Sequence, residues 1–377
     1  MKALLALATA LCSVVANGQT WRALGRGTVG PTEVQTLFSD SISGRLLAGG
    51  TFLHILNEED TVLGFGQAAW NGHRWDSLAT RIQPYGGGEA AMQTYWFLHF
   101  QGELYACGNF PLPLPDGEWS HNLARLNTQT QRWESLGCHL PLLTGIQTLV
   151  PKTPQGILYA TGYWGNSEEF CTLPQSCVFR YDGNAFHTWE PFNQIPQDNG
   201  NYVGLIFEYQ GMTYLTGSVR DPLGPGDVTF LRHNGTAWEH VPGWNTLSPI
   251  KEVFIHNDTL YVAGAFRQAT GGPGNLIACF DGQNWNDMGG GLAYPPVPMS
   301  GTAWDMKWWH GKLLVSGFFS RAGGVPCSSI ASWNGQQWCS FPGGIRWNFN
   351  SQPTISEMAI WRDSLYVCGG INTVDGD

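Results

Sequence analysis

Short apolar runs recur along the chain, and each closes on glycine. They are Leu46-Leu47-Ala48-Gly49, Leu104-Tyr105-Ala106-Cys107-Gly108, Leu158-Tyr159-Ala160-Thr161-Gly162, Tyr214-Leu215-Thr216-Gly217, Leu260-Tyr261-Val262-Ala263-Gly264, Leu313-Leu314-Val315-Ser316-Gly317 and Leu365-Tyr366-Val367-Cys368-Gly369. The closing glycines lie 59, 54, 55, 47, 53 and 52 residues apart. Runs this short, rich in Leu, Tyr and Val and bounded by turn residues, read as buried strands rather than helices.

A second pattern follows most of them. Trp70-Asn71-Gly72-His73-Arg74-Trp75, Tyr181-Asp182-Gly183-Asn184-Ala185-Phe186, His233-Asn234-Gly235-Thr236-Ala237-Trp238, Phe280-Asp281-Gly282-Gln283-Asn284-Trp285 and Trp333-Asn334-Gly335-Gln336-Gln337-Trp338 each read as two strands around a tight turn. A longer turn joins Asn127 to Trp133 in one further copy. Asn-Gly and Asp-Gly are strong hairpin signals, because primed turns need a positive φ. Another short strand precedes each glycine-closed run, as in Phe254-Ile255-His256 before a turn at Asn257-Asp258.

The repeat is therefore four short strands without a helix. Four-stranded units at this period predict an all-β, seven-bladed β-propeller. One such unit cannot cover both of its faces, and a ring of them can. Stacked β-sandwiches would show linkers and less even spacing. The expected repeats are residues 34–79, 94–137, 146–190, 203–241, 253–291, 305–341 and 355–377, the last completed by residues 20–27. Trp21-Arg22-Ala23-Leu24-Gly25 matches the fourth-strand pattern of Trp75-Asp76-Ser77-Leu78 and has no strands of its own before it. It is expected to complete the last blade and remove two open sheet edges. The third strand of that blade is missing, so the chain reads as incomplete at its C-terminus.

Composition adds a compartment. Lys2, an apolar run from Ala3 to Ala16, and Ala16-Asn17-Gly18 read as a signal peptide over residues 1–18, cut before Gln19. Export to the cell exterior or surface follows, with residues 19–377 as the propeller. No other segment is long and apolar enough for a transmembrane helix. The net charge is −10 and no Lys/Arg run occurs, which speaks against nucleic acid and anionic membranes as partners. Eight cysteines remain after cleavage. Cys171 with Cys177 is the best local disulfide candidate and Cys327 with Cys339 the second. Cys107, Cys279 and Cys368 sit inside strand patterns and read as free, buried thiols.

The glycine-closed strand, the aromatic third strand and the fourth-strand tryptophan resemble a divergent kelch-type repeat. Leu260 to Gly264, Leu276-Ile277-Ala278, and Asp281 to Gly291 carry the likeness best. They are similar to repeats of secreted Bacteroidetes-type propellers and of Rax2-like polarity proteins. The resemblance covers residues 20–372 and implies the architecture, with little about function. The turn at Asp281-Gly282-x-x-Trp285 is also similar to the Asp-box of sialidases, but Cys279 stands where that motif has serine.

Candidate chemistry is sparse. No nucleophile elbow, phosphate loop or Ser/His/Asp signature occurs. No cofactor or metal set is expected, and no catalytic residue is assigned. His99, His256 and His310 lie at unequal offsets and read as turn or packing residues. The second-to-third and blade-to-blade loops are long and share one face, which is where variable functional loops belong. Tyr85, Trp119, Trp164, Tyr294 and Trp347 lie there and form the expected ligand-binding face, with burial as blade caps the blander alternative for each. Glu58-Glu59-Asp60, Asp116, Glu118, Glu168-Glu169, Asp221 and Asp227 read mainly as solvated loop charge. The expected function is a secreted, monomeric, non-catalytic module binding protein or glycan. The alternative is a carbohydrate-active enzyme using carboxylates on the long-loop face.

Overall fold

The structure is a computed structural model. It describes residues 21–29, 33–79, 93–114, 119–136, 146–152, 157–162, 173, 176–197, 200–267, 274–295, 301–341, 345 and 352–371. These residues contain no α-helix and one 3-10 turn, Glu190–Gln194. Six antiparallel sheets have four strands each in chain order, and a seventh has two, Thr354–Trp361 and Ser364–Gly370.

The first strand of every sheet is innermost. Val34–Asp40, Gln93–Phe100, Ile146–Lys152, Tyr202–Tyr209, Ile250–His256, Thr302–Trp309 and Thr354–Trp361 each neighbour the next, and the last neighbours the first. The molecule is a closed seven-bladed β-propeller.

The core is divided in the same way. One apolar cluster fills each of the seven blade interfaces. Leu47 and Ala69 of the first blade meet Phe97, Leu104 and Ala106 of the second. Leu37 and Leu46 of the first blade meet Ala359, Trp361 and Cys368 of the last, which seals the ring. The interfaces rely on large side chains: Tyr105, Tyr159, Tyr214, Phe230, Phe266 and Phe280 are all essentially buried. Each contributes about 1.5–3 kcal/mol relative to exposure.

Fourth-strand tryptophans tie several blades back to the one before. Trp238 Nε1 donates to Pro191 O, Trp285 Nε1 to Pro242 O, and Trp338 Nε1 to Met288 O. Trp75 Nε1 donates to Leu24 O in the same manner. Leu24, three residues after Trp21, thus holds the place that Met288 holds three residues after Trp285. Trp21 packs on Phe341 and on the cluster containing Ile355 and Met358. The N-terminal segment takes the outer position of the last blade through packing and this indole bond. Residues 21–26 form no strand, and the first strand, Gly27–Val29, pairs instead with His54–Leu56 in a small accessory sheet.

Both local disulfide candidates are overturned. Cys177 is a free thiol buried among Val203, Ile206 and Trp238, with its Sγ 3.2 Å from Asn201 O. Cys327 is free as well, because the ladder sets Ser332 rather than Cys327 opposite Cys339. Cys339 is itself disulfide-bonded. Cys279 and Cys368 are free thiols, and Cys107 and Cys368 are buried.

Candidate functional site

Backbone geometry at the propeller axis explains the repeated glycine. Where the second strand ends, the inner strand bulges by one residue in every blade: at Gln35, Tyr95, Gln147, Gly204-Leu205, Lys251, Trp304 and Ser356. A Cβ on Gly108 would collide with Gln93 O, on Gly217 with Tyr202 O, on Gly264 with Pro249 O, on Gly317 with Thr302 O, and on Gly369 with Thr354 O. Only glycine lets the inner strand come this close and bend. In the first blade the residue that does this is Gly50, whose Cβ would meet Glu33 O, rather than Gly49. Bulges re-aim side chains, and here they aim them at the axis.

A pocket of about 390 Å³ results. The bulged residues Gln35, Tyr95, Lys251, Trp304 and Ser356 line it, together with Tyr202. Trp96, Glu252, Asp305 and Glu357 follow bulges directly and complete the lining. All lie in the first half of their inner strands. The chain enters those strands from the blade-to-blade connections, so the pocket sits at the long-loop end of the channel. Its volume falls within the range of about 300–1,000 Å³ usual for small-molecule sites.

Three carboxylates therefore share one repeat position. Asp305 is the best fixed. Its Oδ1 accepts bonds from Met306 N at 2.7 Å and from Lys307 Nζ at 2.6 Å, and its Oδ2 accepts one from Met358 N of the next blade at 2.7 Å. Glu357 repeats that contact across the ring closure, its Oε2 accepting from Leu37 N at 3.2 Å. Each satisfies an inner-edge N–H that no fifth strand can pair. The Glu252 carboxyl makes no hydrogen bond among the described residues, while its backbone pairs with Ala263 in the ladder.

Asp305 is buried, while Glu252, Lys307 and Glu357 are half-buried and open to water through the channel. Burial pushes the Glu252 carboxyl well above its usual range, and the neighbouring Asp305 adds to the effect. Glu357 is pushed up to about 7 by burial, with Lys307 pulling the other way and Asp305 adding to the rise. For Lys307, burial opposes the charge, but Asp305, Glu357 and Glu252 outweigh it and keep the ammonium protonated above the usual lysine value. The cluster thus holds the Asp305–Lys307 ion pair beside two carboxyls whose proton affinity burial raises. Perturbed groups in an aromatic-lined pocket mark a candidate site for acid–base chemistry or polar recognition.

Of the five residues of the expected ligand-binding face, Trp119 and Tyr294 are among the described residues, and neither lines the axial pocket. Tyr85, Trp164 and Trp347 lie outside the described residues. Trp119 opens the strand Trp119–Asn127, where it pairs with Pro113 in an extension of the second blade. Tyr294 is half-buried against Phe318, with ring centroids 4.5 Å apart, and does not line the axial pocket. The loop acids are solvated or paired: Glu58 and Glu59 are exposed, Asp60 pairs with Arg74 at 2.8 Å, Asp227 with Arg220 at 2.9 Å, and Asp221 with His240 at 2.9 Å. Asp116, Glu118, Glu168 and Glu169 lie outside the described residues. His256 stacks on Trp308 at 3.7 Å and His310 bonds Asp363 at 2.8 Å, each joining one blade to the next.

Sequence reasoning missed the axial acids, yet a signal was present. Glu252, Asp305 and Glu357 are separated by 53 and 52 residues, the same intervals that separate Gly264, Gly317 and Gly369. An acid held at one phase of the repeat through three successive repeats differs from scattered charge.

No protein-family model matches the sequence, and no curated protein does. Among solved structures the chain is similar to the crystal structure of the GH74 xyloglucanase from Xanthomonas campestris. The TM-score is 0.57 and the identity 13%, over 93% of this chain and 52% of that one. The chain therefore spans about half the length of that protein. It matches 112 solved chains in all, so the likeness defines the class, a β-propeller-type fold, and no activity.

Proposed function

We propose that this protein is a secreted carbohydrate-active enzyme that takes a sugar unit into the axial pocket, with Glu252 as the proton donor. The observation that carries this reading is the convergence of three carboxylates at a single repeat position beside Trp96 and Trp304, with Lys307 bound to one of them, Asp305. A carboxyl whose proton affinity is raised by burial is suited to protonate a glycosidic oxygen. Trp and Tyr rings supply flat faces for sugar rings. The xyloglucan-directed activity named for the similar structure agrees with a carbohydrate substrate. An N-terminal leader and the Cys339 disulfide support export, since disulfides persist in oxidising compartments. The kelch-type and Rax2-like kinship of the repeats belongs to the same proposal.

Glu252 is the group proposed to act because its oxygens are uncommitted. Asp305 and Glu357 are proposed to position: both already accept backbone N–H groups, and Asp305 orients Lys307. The same commitment favours a second reading, in which the pocket binds a glycan without turnover. Incubation of the purified protein with a panel of plant and microbial polysaccharides separates the two. Release of reducing ends, lost in Glu252→Gln, is the expected result. Binding of an oligosaccharide with no product from the native protein would establish the second reading.

A further inference from the structure

The lining of the axial pocket is arranged around a point. Its side chains come from the inner strands of six of the seven blades, so it surrounds the axis and does not follow a line across the face. All of them stand in the first halves of those strands, and no described residue of a second half lines the pocket. Met306 and Met358, directly after Asp305 and Glu357, are instead buried between blades. Among the described residues the site is a well on the axis, entered from the long-loop end.

The chemistry is divided around that well. Glu252, Asp305 and Glu357 come from the fifth, sixth and seventh blades, which are neighbours, and form one arc. Tyr95 and Trp96 of the second blade and Tyr202 of the fourth come from the other arc, and Trp304 stands beside Asp305. Half-buried rings on both arcs suit one sugar unit held between them, whereas a chain lying across the face would need its rings in a row. Lys251 is exposed at the rim and adds a hydrogen-bond donor for sugar hydroxyls.

An internal unit of a glycan is bonded to a neighbour on each side, and both neighbours need a way out of the site. A terminal unit has one neighbour and can enter a well that has one opening. The volume of about 390 Å³ lies near the lower end of the small-molecule range of about 300–1,000 Å³. We propose that the axial pocket takes the terminal unit of a glycan chain, so that the enzyme works from chain ends and releases small sugars. This rests on the carbohydrate reading above and names its substrate class, chain termini as opposed to internal segments. One bond breaks, the glycosidic bond between the terminal unit and the next. The Glu252 proton goes to the oxygen that leaves, and water supplies a hydroxyl to the anomeric carbon and the proton that restores the carboxyl.

Binding and product patterns test this with xyloglucan, xylan, laminarin and pectin, each as the polymer and as a linear hexasaccharide. Isothermal titration of Glu252→Gln is expected to give the same affinity per chain for hexasaccharide and polymer, because both present the same number of ends. Trp96→Ala in that background should weaken both by the same factor, about tenfold. With the native protein, mono- and disaccharides should accumulate from the first time points while polymer viscosity falls slowly. Affinity per chain that rises in proportion to chain length overturns the inference and leaves the carbohydrate reading standing. Rapid viscosity loss with long fragments as the first products does the same. Neither binding nor product with any of the four glycans overturns both.

Discussion

The outer hairpins and the inner strands solve the same problem of turning a chain in opposite ways. In the outer turns one chemistry is repeated. Asn71, Asn127, Asp182, Asn234, Asp281 and Asn334 each accept, through one side-chain oxygen, the N–H groups two and three residues on. In the inner strands one backbone shape is repeated and the side chain changes from blade to blade: Gln35, Tyr95, Lys251, Trp304 and Ser356 stand at equivalent bulges. Repetition of side-chain chemistry marks scaffolding. A repeated backbone carrying varied side chains marks a place where the ring can be specialised. The acids of the two regions obey the same contrast. Backbone N–H groups of Ala185 and Asn184 hold the exposed Asp182 carboxyl down to about 2, whereas burial raises Glu252 and Glu357.

The largest effect should come from filling a bulge. Gly264→Val places side-chain atoms against Pro249 O, a backbone atom that cannot move without shifting the inner strand. Destabilisation of about 3 kcal/mol or more is expected, read as loss of soluble protein or a large fall in Tm. Gly335→Ala is the matched control in an outer turn. Its Cβ meets nothing, and it carries only the cost of a φ of 95°, about 1–2 kcal/mol. Equal losses for the two variants would erase the distinction drawn here.

Function should separate next. Glu252→Gln removes the proposed proton donor and is expected to lower turnover by about 100-fold or more with little change in Tm. Asp281→Ala, in an outer turn, should leave turnover untouched. A reversed pattern would move the site out of the channel.

The pH dependences should have opposite signs. Glu357 binds its proton more tightly folded than unfolded, so its stabilising contribution is present at acid pH and declines as pH rises toward and through about 7. Glu252 acts in the same direction. Asp182 binds its proton less tightly when folded, so its contribution is present above the usual carboxylate pKa and lost as pH falls toward about 2. Melting curves from pH 5 to 8 should show Tm falling with pH in the native protein and a flatter profile in Glu357→Gln. A Tm that rises over this interval and is unaffected by that substitution would contradict the assigned protonation.

Smallest is the loss of one turn cap. Asn334→Ala deletes the acceptor of two backbone N–H groups that water can reach. About 0.5–1 kcal/mol is expected, visible in chemical denaturation and absent from any binding measurement.

Blade number, strand order and outer turns were legible from the chain, because each depends on neighbours within one repeat. Asp281-Gly282 needs only the next two residues to close its turn, and Leu260 to Gly264 declares a buried strand by composition. The disulfide candidates failed for a related reason. Cys171 with Cys177 and Cys327 with Cys339 are close along the chain, but ladder register and core packing, which span blades, decide which thiols meet. The match of Trp21 to Trp75 predicts its place in the last blade, and its segment docks by packing without forming a ladder.

What the sequence determined by itself was periodic: a four-stranded repeat, a glycine at one phase of it, and an acid at another phase in three successive copies. Tertiary structure alone decided what these phases mean. Gly264, Gly317 and Gly369 are glycines because a carbonyl of a different strand lies where a Cβ would be. Glu252, Asp305 and Glu357 become one site because closure of the ring brings positions separated by whole repeats around a single axis. Their altered proton affinity follows from enclosure and mutual charge, which have no value until the blades are packed.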